Sequence, residues 1–185
     1  MSQICRTTSR LLAAAVILFV THAAHAQLGI YGTLNATKVI NPVSTQSNIQ
    51  NAINTGYWST GGEVGVYYDF WRIGPISVGS DLRVSGASQA KLGLFGARVA
   101  LHPTPLPFKP YVEGLVGVAN STNAYNLSST DLAWEIAGGV DYSLIPHIDL
   151  RVLEFGGGQI STSATTTPTP TRSLYTISTG FAIHF

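Results

Sequence analysis

An all-β fold is predicted from this sequence: an eight-stranded antiparallel up-and-down barrel that crosses a membrane, preceded by a cleaved signal peptide. Three observations carry that expectation. After residue 26 apolar residues alternate with polar or very small ones in period 2, and no stretch of comparable length shows the i, i+3, i+4 pattern of a helix. Charged residues are only 10% of the chain while hydrophobic residues are 45%, whereas a soluble domain carries roughly 25% charged residues. The alternating segments also have about the ~9–11 residues that a tilted membrane strand needs.

The N-terminus has the three parts of an export signal. Arg6 and Arg10 supply positive charge, Leu11 to Val20 is an apolar core, and Ala24-His25-Ala26 is a small-x-small cleavage motif. Cleavage is expected between Ala26 and Gln27, leaving a barrel domain over residues 27–185. The apolar core is too short to cross as a helix, which takes about 20 residues, and no later run reaches ~18. Cys5 leaves with the signal, so the mature chain is expected to hold no disulfide, thiolate metal site or cysteine nucleophile. Loss of Arg6 and Arg10 turns the formal charge from +1 to −1. No basic field invites nucleic acid.

Eight strands follow in order. Gln27–Thr37 comes directly after the cleavage motif. Thr60–Phe70 sets Val64, Val66, Tyr68 and Phe70 against Glu63, Gly65, Tyr67 and Asp69. Pro75–Ser85 sets Ile76, Val78, Leu82 and Val84 against Ser77, Gly79, Asp81 and Arg83. Leu92–His102 and Lys109–Ala119 flank the Pro-rich connection Pro103–Phe108. Leu132–Ser143 sets Leu132, Trp134, Ile136, Val140 and Tyr142 against Ala133, Glu135, Ala137 and Asp141. His147–Phe155 is the seventh. Ser173–Phe185 presents Tyr175, Ile177, Thr179, Phe181, Ile183 and Phe185 on one face. Successive strand residues point to opposite faces, so each segment has one apolar and one polar or small face.

The connections alternate between short (Trp71–Gly74, Pro103–Phe108, Leu144–Pro146) and mostly long and polar (Lys38–Ser59, Gly86–Lys91, Asn120–Asp131, Gly156–Arg172). Short turns at one end and long loops at the other suit a membrane barrel. A secreted sandwich with uneven loops is the alternative.

Alternation alone does not say which face is outside. A lipocalin-like soluble barrel would bury its apolar face, and a membrane barrel would show it to lipid. Charge placement favours lipid. Glu63, Asp69, Asp81, Arg83, Arg98, Glu113, Glu135, Asp141, Asp149 and Arg151 all share the face that holds Gly and Ala. The opposite face carries none, apart from Glu154, which a β-bulge at Leu153 would turn inward. Aromatic residues gather at strand ends: Phe70, Trp71, Phe108, Tyr142 and Phe185 at the short-turn end, Tyr57, Trp58, Phe155 and Tyr175 at the other. Amphipathic rings suit the two lipid–water boundaries.

The last eight residues, Ser178-Thr179-Gly180-Phe181-Ala182-Ile183-His184-Phe185, resemble the targeting signal of bacterial outer-membrane barrels, with Ser178, Gly180, Ile183 and Phe185 at its marked positions. With Pro110–Ala119 and Trp134–Tyr142, the chain from Gln27 to Phe185 resembles the small eight-stranded outer-membrane barrels of the OmpA/OmpX kind. That resemblance implies a monomeric barrel in the bacterial outer membrane, termini in the periplasm, outer-membrane lipids around it and the barrel-assembly machinery reading its last strand. It does not imply one activity, because function lies in sites rather than folds.

The interior of so narrow a barrel is expected to be filled by side chains. Counting from the short turns sets Glu63 level with Arg83, Arg98 level with Glu113, and Arg151 near Asp141 or Glu135. Such pairing offsets the cost of buried charge. Seven carboxylates against three guanidiniums would make any thin ion path cation-preferring. No catalytic, cofactor-binding or metal site is expected. His102 and His147 read as turn residues, His184 as a lumenal partner of Asp149 or Asp69, and no Ser/His/acid set assembles at the long-loop end. The favoured function is a structural or surface-interaction barrel whose polar loops meet an extracellular ligand. A small passive channel is second, and a lipid-A-modifying enzyme or a soluble binder less favoured.

Overall fold

The computed structural model describes residues 27–40, 57–88, 90–122, 128–161 and 171–185. The expected signal peptide, with Ala26 of its cleavage site, lies outside them; Gln27 opens the first strand. The strands are β1 (Gln27–Ile40), β2 (Ser59–Ile73), β3 (Ile76–Ala87), β4 (Ala90–Leu101), β5 (Phe108–Thr122), β6 (Ser128–Ile145), β7 (Ile148–Ser161) and β8 (Arg172–His184). Each pairs antiparallel with the next, and β8 closes on β1 from Gly29↔His184 to Ile40↔Ser173. The predicted eight-stranded antiparallel barrel is the observed fold.

Most strands run past their expected ends, chiefly toward the long-loop rim. Gly156–Ser161, expected to begin a loop, continues β7, because Gly156, Gly157 and Gly158 pair with Ala137, Ile136 and Glu135 on β6. The Asn120–Asp131 connection shrinks to residues 123–127 as β5 and β6 extend into it. Phe155 therefore sits at mid-wall, opposite Gly138 and Ile177, rather than at the rim. A closed barrel pairs every strand on both sides, so polar segments of weak strand propensity are carried along by their neighbours. At the opposite end β2–β3 and β6–β7 are joined by two-residue turns, with left-handed backbone at Gly74 (φ 57°) and His147 (φ 75°).

The usual distribution of apolar surface is inverted. Val64, Val84, Val116 and Ile136 stand more than half exposed on the wall, and Leu34 is 74% exposed. All nine carboxylates of the chain are buried inside. A water-soluble barrel would show the reverse, since burial of apolar surface is what drives folding in water. Phe70, Trp71, Phe108 and Phe185 are exposed near the short turns, and Tyr57, Trp58 and Tyr175 near the opposite rim. A bulge between Asp69 and Trp71 turns both Phe70 and Trp71 outward.

Candidate functional site

The lumen is the place where this chain concentrates chemistry. Its central layer is built on Arg83 of β3, Arg98 of β4 and Arg151 of β7. Arg83 donates from Nε to Asp81 (2.9 Å) and from Nη1 to Glu154 (2.8 Å), and it pairs with Glu113 through Nη2. Arg98 reaches Glu113 at 3.2 Å and Asp141 at 3.4 Å, and Arg151 reaches Asp141 at 3.1 Å and Glu154 at 3.2 Å. The three guanidiniums and their shared carboxylates form one continuous network. Removal from water is costly for each charge, and multiple charge-assisted bonds offset that cost.

Three tyrosines interleave with the arginines. Arg98 lies over the rings of Tyr67 (4.0 Å) and Tyr111 (4.4 Å), and Arg151 over Tyr31 (4.1 Å). Guanidinium planes stack well on aromatic faces. The hydroxyls donate into the same network, Tyr31 to Asp81 (2.9 Å) and Tyr111 to Glu154 (2.6 Å). Each ring lies over a glycine directly across the ladder: Tyr31 opposite Gly65, Tyr67 opposite Gly29, Tyr111 opposite Gly139. A Cβ at any of those glycines would enter the ring facing it.

Register decides which charges meet. Arg98 faces Glu113 directly and Arg151 faces Asp141, as the sequence predicts. Arg151 takes Asp141 rather than Glu135, whose carboxylate instead accepts from the Thr176 hydroxyl. Glu63 is not level with Arg83. It faces Ser85, two residues along, and sits 3.8 Å from the guanidinium. The bulge between Arg151 and Glu154 is present: Val152 and Leu153 both face outward, and Glu154 is buried. Thr179 Oγ1 lies within hydrogen-bond reach of the freed carbonyls of Arg151 and Val152.

Two features escape the sequence reading. Toward the long-loop rim the lumen is apolar, filled by Val39, Leu92, Leu94, Leu115, Ile160 and Leu174. Leu92 and Leu94 share parity with Arg98, and Leu115 with Glu113, so alternation counted strictly would have placed them inside. At the same rim Arg172 pairs with Asp131 at 2.8 Å. The outer face is also not free of charge. With β1 and β4 extended, Lys38 and Lys91 pair across the ladder with outward-facing Tyr175 and Gly86.

The histidines gather at the short-turn mouth, as expected. His184 Nδ1 lies 3.4 Å from Asp149, which also pairs with Lys109 at 2.8 Å. His147 Nδ1 is 3.1 Å from the His184 carbonyl. His102 is more than a turn residue: its Nε2 is 3.0 Å from Ser77 Oγ, and Ser77 donates to Asp69 at 2.9 Å. Because the hydroxyl proton goes to Asp69, Nε2 is the donor to Ser77. A nucleophilic serine needs the reverse, an Nε2 that accepts its proton while the acid holds Nδ1. Among the described residues no three His, Cys, Asp or Glu side chains gather to hold a metal ion.

A closed antiparallel barrel of eight strands, apolar outside and charged within, has the architecture of a small transmembrane β-barrel. Among solved structures the chain resembles Neisserial surface protein A, with 18% identity, a TM-score of 0.53, and 85% of this chain and 97% of that one covered. It also matches the attachment invasion locus protein Ail of Yersinia pestis (9% identity, TM-score 0.47, 86% and 99% covered) and the outer membrane enzyme PagL (15%, 0.46, 82% and 98%). These likenesses concern the fold. No family profile and no curated protein matches the chain.

Proposed function

We propose that this protein is a structural or surface-interaction barrel of the bacterial outer membrane, exported by its signal peptide. Its termini and short turns face the periplasm, and its long connections face outward. The supporting observation is the filled lumen. A guanidinium–carboxylate–tyrosine layer occupies the centre, and an apolar layer around Leu94 and Leu115 lies toward the long-loop rim. Water and ions crossing would have to pass both, and an apolar constriction disfavours ions by dewetting. What remains for function is the rigid wall and what it presents at its rims.

Planar bilayer recording of the purified barrel tests this reading: silence is expected, and a steady conductance would overturn it. Deletion of residues 41–56 should leave a heat-modifiable folded barrel while lowering binding to its surface partner. The small cation channel is the second reading, favoured by the excess of lumenal carboxylates, among which Glu135 makes its polar contact with Thr176 rather than an arginine. A catalytic role is not part of the proposal; gene deletion is expected to leave the lipid profile unchanged.

A further inference from the structure

Outside the lumen, the wall carries a groove of about 720 Å³ with a predominantly apolar lining. That size falls in the ~300–1,000 Å³ range of small-ligand sites. Two adjacent hydrogen-bonded rows form it. One runs Leu150–Phe181–Gly32–Val64–Val84 and the other Thr179–Leu34–Gly62–Gly86–Lys91, from β7 and β8 across β1 to β4. Side chains from both rows face outward. Leu34, Val64 and Val84 make the walls, and the floor is bare backbone at the glycines. A Cβ at Gly32 or Gly86 would meet nothing within 4 Å, and one at Gly62 only the Thr33 carbonyl at 3.9 Å. No close approach of protein therefore accounts for the missing side chains.

Lys91 closes one end of the groove. It is the second residue of β4, exposed on the outer face at the long-loop rim, and makes no ion pair among the described residues. We propose that this groove is a binding site for an acylated lipid carrying a phosphate headgroup. One acyl chain lies in the trough and the phosphate meets the Lys91 ammonium at the membrane boundary. The flexible lysine stem allows the charge to reach the headgroup level. Charge placement selects this occupant over a second copy of the chain. All nine carboxylates are buried in the lumen, so the wall of another barrel offers Lys91 no counter-charge. A neutral chain alone would leave the lysine unanswered.

The test is native mass spectrometry of the folded barrel in non-ionic detergent, with phosphatidylglycerol or a diacylglycerol of the same chains added. It does not depend on which way the barrel faces. One phosphatidylglycerol retained per barrel, in preference to the diacylglycerol, is expected. Lys91→Gln should weaken retention about fivefold, the worth of one lysine near a lipid phosphate. Gly86→Leu and Gly62→Leu should abolish it while the heat-dependent gel shift persists, since a Cβ meets nothing at Gly86 and makes only an ordinary contact with the Thr33 carbonyl at Gly62. Equal retention of the two lipids, unchanged retention in Lys91→Gln, or unchanged retention in both leucine variants would overturn the site. Dimers in place of lipid adducts would assign the groove to a second copy instead.

Discussion

Glu154 Oε1 accepts from Arg83 across the lumen at 2.8 Å, although 71 residues separate the two in the chain. Arg151 and the Tyr111 hydroxyl bind its other oxygen. Glu154 thus joins two of the three arginines. Glu154→Gln should keep the shape but leave both guanidiniums short of charge. Loss of about 3 kcal/mol is expected, since breaking a buried pair strands its partner. Urea unfolding in lipid vesicles measures it.

The bulge that turns Glu154 inward puts Val152 and Leu153 on the same outer face. Arginine at either position should therefore destabilise by ~2–4 kcal/mol, the cost of that side chain at mid-membrane. In a strictly alternating strand the two substitutions would differ, one facing lipid and the other the lumen.

Tyr31 occupies the space above Gly65. Gly65→Ala should cost ~1–3 kcal/mol by overpacking. Most of that penalty should vanish in the Tyr31→Ala background, because the two residues share one contact. A double-mutant cycle on unfolding free energies decides it.

His102 lies at the short-turn mouth, outside the membrane-spanning segments. Burial pushes its pKa down to about 4, and the positive charges of Arg72 and Lys109 push in the same direction against Asp69. The unfolded chain, with an imidazole pKa of ~6.5, binds the proton more readily than the folded one. The contribution is therefore present above about pH 6.5 and lost as pH falls toward 4. An NMR titration should place the midpoint near 4, and His102→Gln should flatten the stability slope in that window. A midpoint at the ordinary histidine value would contradict the partly buried Nε2–Ser77 contact.

Leu94 and Leu115 fill the lumen toward the long-loop rim at 1% exposure each. If that layer closes the barrel, Leu94→Ser with Leu115→Ser should open a small conductance where the parent chain has none. The excess of carboxylates over cations beneath predicts that it prefers cations. Bilayer recordings of parent and double variant under a salt gradient give both answers.

Much of the architecture is legible along the chain because strand alternation is local. Which residues of a strand share a face follows from parity, so Arg98 and Glu113 could be placed inside, and Val64 and Val84 outside, before any pairing was known. The strand ends were less legible. Gly156, Gly157 and Gly158 have no strand preference of their own and extend β7 only because β6 and β8 flank them.

The sequence by itself determined the fold class of this protein: eight period-2 segments, most of the charge on one face, aromatic residues gathered toward the ends. Beyond the Arg98–Glu113 and Arg151–Asp141 pairs, only the tertiary structure decided which charges meet. Glu63 lies two residues off the level of Arg83, Glu154 reaches Arg83, and Glu135 turns to Thr176. It also brought Gly62, Gly86 and Lys91 into one row across three strands. The physical reason is that parity is a property of one strand, whereas stagger between strands is set by closing all eight into a barrel. Side-chain facing can therefore be read residue by residue, but neighbours across the lumen and along the wall exist only once the ring is complete.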